Sequence, residues 1–158
     1  MRKQKGFSLI ELLIVVAIIL IIAAIAIPNL LRSRIAANES SAVGSMRTIN
    51  TAEVTYASSY GDYSTSLAQL DMGGSATCTA SSTNACLIDN TLATATPGTG
   101  GKSGYVFGYQ KTSNPGYTLN GDPVNVGSTG VKHFYTDATA VIHFNASTTA
   151  GATDNSIQ

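Results

Sequence analysis

The sequence predicts an α+β fold, with one long N-terminal helix laid through its second half on a roughly four-stranded antiparallel sheet. Three observations carry this. Residues 7–27 hold only two polar side chains, Ser8 and Glu11. Apolar residues then recur at helical spacing as far as Tyr60. Two pairs of short β-patterned runs, each joined by turn residues, follow between 104 and 145.

The first helical segment, 7–28, is apolar all round and free of polar side chains from Leu12 to Ile27. At 1.5 Å per residue, 7–27 spans about 31 Å, the thickness of a bilayer's hydrocarbon core. Arg2, Lys3 and Lys5 precede it and Arg32 and Arg34 follow, a weak bias toward a cytoplasmic N-terminus. Pro28 removes the hydrogen bond to the Ala24 carbonyl and crowds the preceding turn. A kink or a locally meltable stretch over 24–28 is the expectation, with Gly44 a milder weak point. From 29 to 60 the pattern is amphipathic: Ile35, Ala42, Met46, Ile49, Ala52 or Glu53, Tyr56 and Tyr60 form one stripe.

Composition turns to Gly, Ser, Thr and Asn in 61–103, an irregular segment with a short helix expected at Ala85–Ala93. Cys78 and Cys86 match no zinc or redox spacing. The apolar segment argues for export, so they are expected to close a disulfide worth about 2.5 kcal/mol. The runs 104–110 and 116–120, then 131–136 and 140–145, read as two antiparallel hairpins within a sheet region 104–145. Residues 146–158 are small and polar and read as a flexible tail.

The chain of 158 residues has zero formal charge and only 11% charged residues. No basic block lies beyond Arg2, Lys3 and Lys5, so a nucleic-acid partner is not predicted. Nucleophile-elbow and zinc-protease motifs are missing. The run 98–104 (GTGGKSG) lacks the four-residue gap of a phosphate loop, and no strand precedes it. His133 and His143 alternate with aromatics and have no carboxylate at ligand spacing, while Asp137 reads as a turn residue. Oxygen donors around Asp122 and Asp137 are too scattered for a calcium loop. The tripeptides at Asn38 and Asn145 that fit the N-glycosylation pattern carry little weight. No catalytic residue, metal or cofactor is assigned.

Glu11 remains to be explained, because a carboxylate in lipid costs up to about 2.5–3.5 kcal/mol at mid-bilayer and less near the edge. A secretory signal is cut after its apolar region; here the small residue, Gly6, precedes it. Cleavage after Gly6 would leave the helix on the mature chain with Phe7 as a cationic amino terminus, its pKa near 8. It would also lower the formal charge from zero to −3 by removing Arg2, Lys3 and Lys5. In a stack of copies, Glu11 of one could face the Phe7 amine of its neighbour. Glu11 then serves to register helices during assembly.

Residues 5–28, KGFSLIELLIVVAIILIIAAIAIP, resemble the class III signal and N-terminal helix of type IV pilins and the pseudopilins of type II secretion. The matching positions are Gly6, Phe7, Glu11 and Pro28, within a close resemblance over about 2–35. It implies a leader peptide, 1–6, cut after Gly6 by a prepilin peptidase, and N-methylation of Phe7. It further implies a structural subunit rather than an enzyme, held in the inner membrane as a single-pass precursor with its N-terminus cytoplasmic. Other copies of itself, minor pilins and an ATPase-driven assembly platform would be its partners, and an extracellular fibre its destination. Glu11 would pair with a neighbour's amine and the segment near Pro28 would melt in the fibre. A major type IV pilin is the first reading and the major pseudopilin of type II secretion the alternative. A membrane-anchored periplasmic enzyme would be favoured by a mature chain retaining Met1. One departure is that Cys78 and Cys86 would close a loop between helix and sheet, where many pilins close one near the C-terminus.

Overall fold

The computed structural model describes residues 7–73, 77–113 and 116–157. They form two compact units divided between Arg34 and Ile35. The first unit consists of Phe7, Ser8 and the beginning of helix α1, which runs Leu9–Tyr60 and remains helical at Pro28. Its large aliphatic side chains, from Leu9 to Leu31, are exposed.

The second unit holds the rest of α1, a 3-10 turn at Leu67–Leu70, a short helix α2 at Asn90–Ala93 and five strands. The strands are β1 (Tyr105–Lys111), β2 (Tyr117–Pro123), β3 (His133–Asp137), β4 (Ile142–Asn145) and β5 (Asn155–Ile157). They form one antiparallel sheet in chain order. The sheet therefore has five strands rather than four. The fifth comes from the region read as a tail: Ile157 pairs with Ile142 and Ser156 with His143. Its three residues are too few to show a strand period, and only pairing with β4 defines them. Helix α2 is likewise shorter than expected, because Asp89 caps it by accepting the Leu92 amide at 2.7 Å.

The core lies between the one-sided half of α1 and one face of the sheet. Ala42, Met46, Ile49, Ala52 and Tyr56 pack there with Tyr105, Phe107, Tyr117, Leu119, Phe134 and Ile142. Strand alternation sends these to the helix and leaves Asp122, His133, Tyr135 and His143 on the opposite face. Close approach of helix to sheet needs Gly121, where a Cβ would stand 3.1 Å from the Met46 sulfur. Gly130 similarly leaves room for the Tyr105 ring, whose hydroxyl donates to the Lys132 carbonyl at 2.8 Å.

Candidate functional site

The candidate site is the N-terminal part of α1. The first helical bond described runs from the Leu12 amide to the Ser8 carbonyl at 3.2 Å. Phe7 stands just outside the helix and is 72% exposed. Glu11 lies in the first turn, where the unpaired amides and the helix dipole favour a negative charge. It has no ion-pair partner among the described residues. Gly6, at which cleavage is expected, lies outside the described residues. Pro28 sits inside the helix and Ile27 and Leu30 beside it are exposed. A helix that is apolar all round must be buried in lipid or in an assembly. This one is long and apolar enough to cross a membrane.

The second part of α1 is fixed to its sheet by buried polar contacts that the hydrophobic stripe did not announce. Asn50 donates to the Thr136 hydroxyl at 3.1 Å and accepts from the Tyr117 hydroxyl at 2.9 Å. The fully buried Glu53 accepts from the Ser64 amide at 3.0 Å and from its hydroxyl. Tyr109 donates to the Ser64 carbonyl at 2.8 Å. Burial pushes the Tyr109 and Tyr117 hydroxyls well above the ordinary tyrosine range. Helical spacing marks Glu53 as an alternative to Ala52 in the stripe, and only the same spacing with Met46 and Ile49 could have marked Asn50 as core.

Cys78 and Cys86 are joined in a disulfide, Cα to Cα 6.0 Å. Tyr56 of α1 ties the same loop down by donating to the Ser82 carbonyl at 2.6 Å. The remaining polar residues weighed from sequence have local partners. His133 Nδ1 lies 2.6 Å from Asp122 Oδ1. His143 Nδ1 lies 2.7 Å from the Asp154 carbonyl, and its ring packs beside Tyr135. Asp137 accepts from the Thr139 amide and hydroxyl in the β3–β4 turn. Lys102, in the glycine-rich run, pairs with Asp89. Asn38 donates to the Thr129 carbonyl at 2.7 Å and Asn145 to Asp154 at 3.2 Å.

Residues 1–27 match the family model described as the prokaryotic N-terminal methylation motif. Over 39 residues the chain is 67% identical to the type IV wide pilus major component PilA4 of Thermus thermophilus, covering 25% of this chain and 30% of that protein. The N-terminal segment of this chain is thus similar to that of a type IV pilus component. A second relative, the type IV major pilin protein PilA of Myxococcus xanthus, is 44% identical over 62 residues, 39% of this chain and 28% of its own length. The matched stretches thus span less than a third of either relative. No solved structure matches the chain significantly. The matched N-terminal segment precedes a helix-on-sheet unit with a disulfide in the segment between helix and sheet.

Proposed function

We propose that the chain is the major structural subunit of a type IV pilus, polymerising through α1 after its leader is removed. The observation that carries this reading is the exposed apolar segment of α1, held on the same chain as a separately packed domain. A lone helix of this composition has no stable place in water, so it requires lipid and then other copies of itself. The methylation motif over 1–27 fits both readings, and two relatives named as pilus components favour a pilus over a secretion pseudopilus.

In this mechanism the precursor waits in the inner membrane with its N-terminus cytoplasmic. A prepilin peptidase cuts after Gly6 and Phe7 is methylated on nitrogen. The assembly platform, its ATPase and the minor pilins then bring copies together. Glu11 of the incoming copy meets the cationic Phe7 amine of a neighbour, replacing an unmet carboxylate in lipid with an ion pair. Pro28, which lacks an amide hydrogen, makes the surrounding helix the easiest stretch to loosen as copies pack. The domain from Ile35 onward coats the fibre exposed on the cell surface.

The test is the intact mass of the chain in material sheared from cells, beside electron microscopy of the same fraction. Long filaments built from a chain that begins at methylated Phe7 are the expected result. The processed mass found only in membranes, without surface fibres, would favour the pseudopilin, and a chain still starting at Met1 would overturn both.

A further inference from the structure

His133 and His143 are the two histidines of the chain, and fibre assembly gives them no task. Both stand on the sheet face opposite α1, on adjoining strands. His143 faces Tyr135 across the β3–β4 ladder and His133 faces Asn145, so the two imidazoles occupy diagonal positions. Diagonal neighbours on one face of an antiparallel pair lie roughly 7–8 Å apart, within reach of ring side chains.

Their hydrogen bonds decide which nitrogen of each ring is free. His143 Nδ1 lies 2.7 Å from the Asp154 carbonyl oxygen, which only accepts, so this nitrogen carries the hydrogen. His133 Nδ1 donates in the same way to Asp122 Oδ1 at 2.6 Å. In a neutral imidazole Nε2 then keeps its lone pair. Neither Nε2 has a hydrogen-bond partner among the described residues, and neither is sealed from solvent. Direction matters as much as tautomer. Asp122 belongs to β2, on the side of β3 away from β4, and Asp154 immediately precedes β5, on the side of β4 away from β3. Each Nδ1 is drawn outward from the β3–β4 pair, which turns each Nε2 inward over the space between the two strands.

We propose that the two Nε2 atoms together bind a divalent late first-row transition ion, zinc or copper. Neutral imidazole suits these ions. A ring whose other nitrogen donates to a carboxylate or a backbone carbonyl is the arrangement metal-binding histidines adopt. Asp122 and the Asp154 carbonyl are then positioning groups. Calcium and magnesium, which take oxygen ligands, do not fit two imidazoles. The neighbouring polar groups are already occupied: Asn145 donates to Asp154, and their oxygens accept the Ser147, Thr148 and Gly151 amides. Among the described residues no group of three or more His, Cys, Asp or Glu side chains could share an ion. Water therefore completes the coordination, and binding is weaker than at a closed four-ligand site. The site lies wholly within the second unit and does not rest on the pilus reading. In a fibre it would repeat once per copy.

The experiment uses the untagged full chain in detergent micelles, titrated with zinc and, separately, with copper. One ion per chain is expected. The copper paramagnetic resonance spectrum should show two imidazole nitrogens, which only His133 and His143 can supply. His133→Gln and His143→Gln should each weaken zinc binding about tenfold or more, at least what loss of an outer-shell partner costs. Far-UV circular dichroism should show both variants folded, and their equimolar mixture should regain no affinity. In the unaltered metal-free chain at about pH 8, where imidazole is ordinarily neutral, long-range nitrogen–proton NMR spectra should show both Nε2 atoms without hydrogen. A single imidazole nitrogen on copper, zinc affinity indifferent to either variant, or a hydrogen on either Nε2 would overturn the inference. Recovery in the mixture would place the site between copies and overturn it too. None of these outcomes bears on fibre formation, which has its own test.

Discussion

Residues 9–31 and 42–56 lie on the same helix, yet Ile18, Ile19, Leu20 and Ile21 are each more than half exposed while Met46 and Ile49 are wholly buried. The difference lies in what surrounds the aliphatic residues. In the first stretch they point in every direction, so no single neighbouring layer could cover them. In the second they form one stripe among Arg47, Thr48, Thr51 and Thr55, and one sheet face covers them. Polar residues behave oppositely as well. Glu11 has no ion-pair partner among the described residues, whereas Glu53 is wholly enclosed and bonded to Ser64. One stretch is completed within the chain and the other awaits material from outside it.

The sharpest way to break this comparison is to remove the unmet charge. Glu11→Ala is expected to leave processing intact and to lower fibre yield about tenfold or more, equivalent to at least about 1.4 kcal/mol per copy. Quantifying sheared filament against processed precursor checks it, and normal fibres would show that pairing at Glu11 is dispensable. Matched truncations compare the two stretches directly. Ile49→Ala should destabilise the domain by about 2–5 kcal/mol, because the cavity it leaves is enclosed. Ile19→Ala should change domain stability by less than about 0.5 kcal/mol, because Ile19 is exposed and is not part of the domain's core. Denaturant unfolding of the detergent-solubilised chain, followed by tyrosine fluorescence, measures both; equal losses would erase the distinction.

Much of this division was legible in the sequence. The unbroken apolar run and the later stripe reveal which part of α1 is covered, and alternation in 104–145 reveals the hairpins. The disulfide was legible because Cys78 and Cys86 are the only cysteines and the apolar segment implies an oxidising compartment. What escaped depends on partners distant in sequence. Strand β5 exists because Ile157 meets Ile142, and no local pattern in three residues reports that. Asn50 looks like a surface residue until Tyr117 and Thr136 arrive beside it, and Glu53, an alternative to Ala52 in the stripe, gives no sign of its partner Ser64.

Within the second unit the disulfide offers a finer test. The backbone beside it is already held, with the Ala85, Cys86 and Leu87 amides donating to the Gln69, Asp71 and Leu70 carbonyls. Replacing both Cys78 and Cys86 by Ser should therefore cost about 2.5 kcal/mol, mainly through the freer unfolded chain. Proteolytic nicking should increase between residues 77 and 84, while the helix–sheet core remains folded. Limited proteolysis with mass mapping reads this, and global unfolding would show that the disulfide holds more than its loop.

The smallest effect concerns the exposed ion pairs. The Lys102 ammonium beside Asp89, and the Lys111 ammonium beside Asp62, hold these carboxyls below the ordinary carboxylate value of 3.8. A depressed carboxylate pKa stabilises the fold above the unfolded value, and that contribution is lost as pH falls through the depressed one. Stability should accordingly fall as the pH drops below about 4, with Asp89 and Asp62 contributing. Lys102→Met removes the larger cause at Asp89 but leaves its bond from the Leu92 amide. At neutral pH the variant should lose no more than about 0.5 kcal/mol, since the pair is half in water and screened. At a pH low enough to protonate Asp89 in the folded chain, below its depressed value, it should match the parent chain, because the attraction has ended in both. Thermal unfolding at stepped pH checks this convergence. A gap that persists in acid would mean that the aliphatic stem of Lys102 contributes through packing rather than charge.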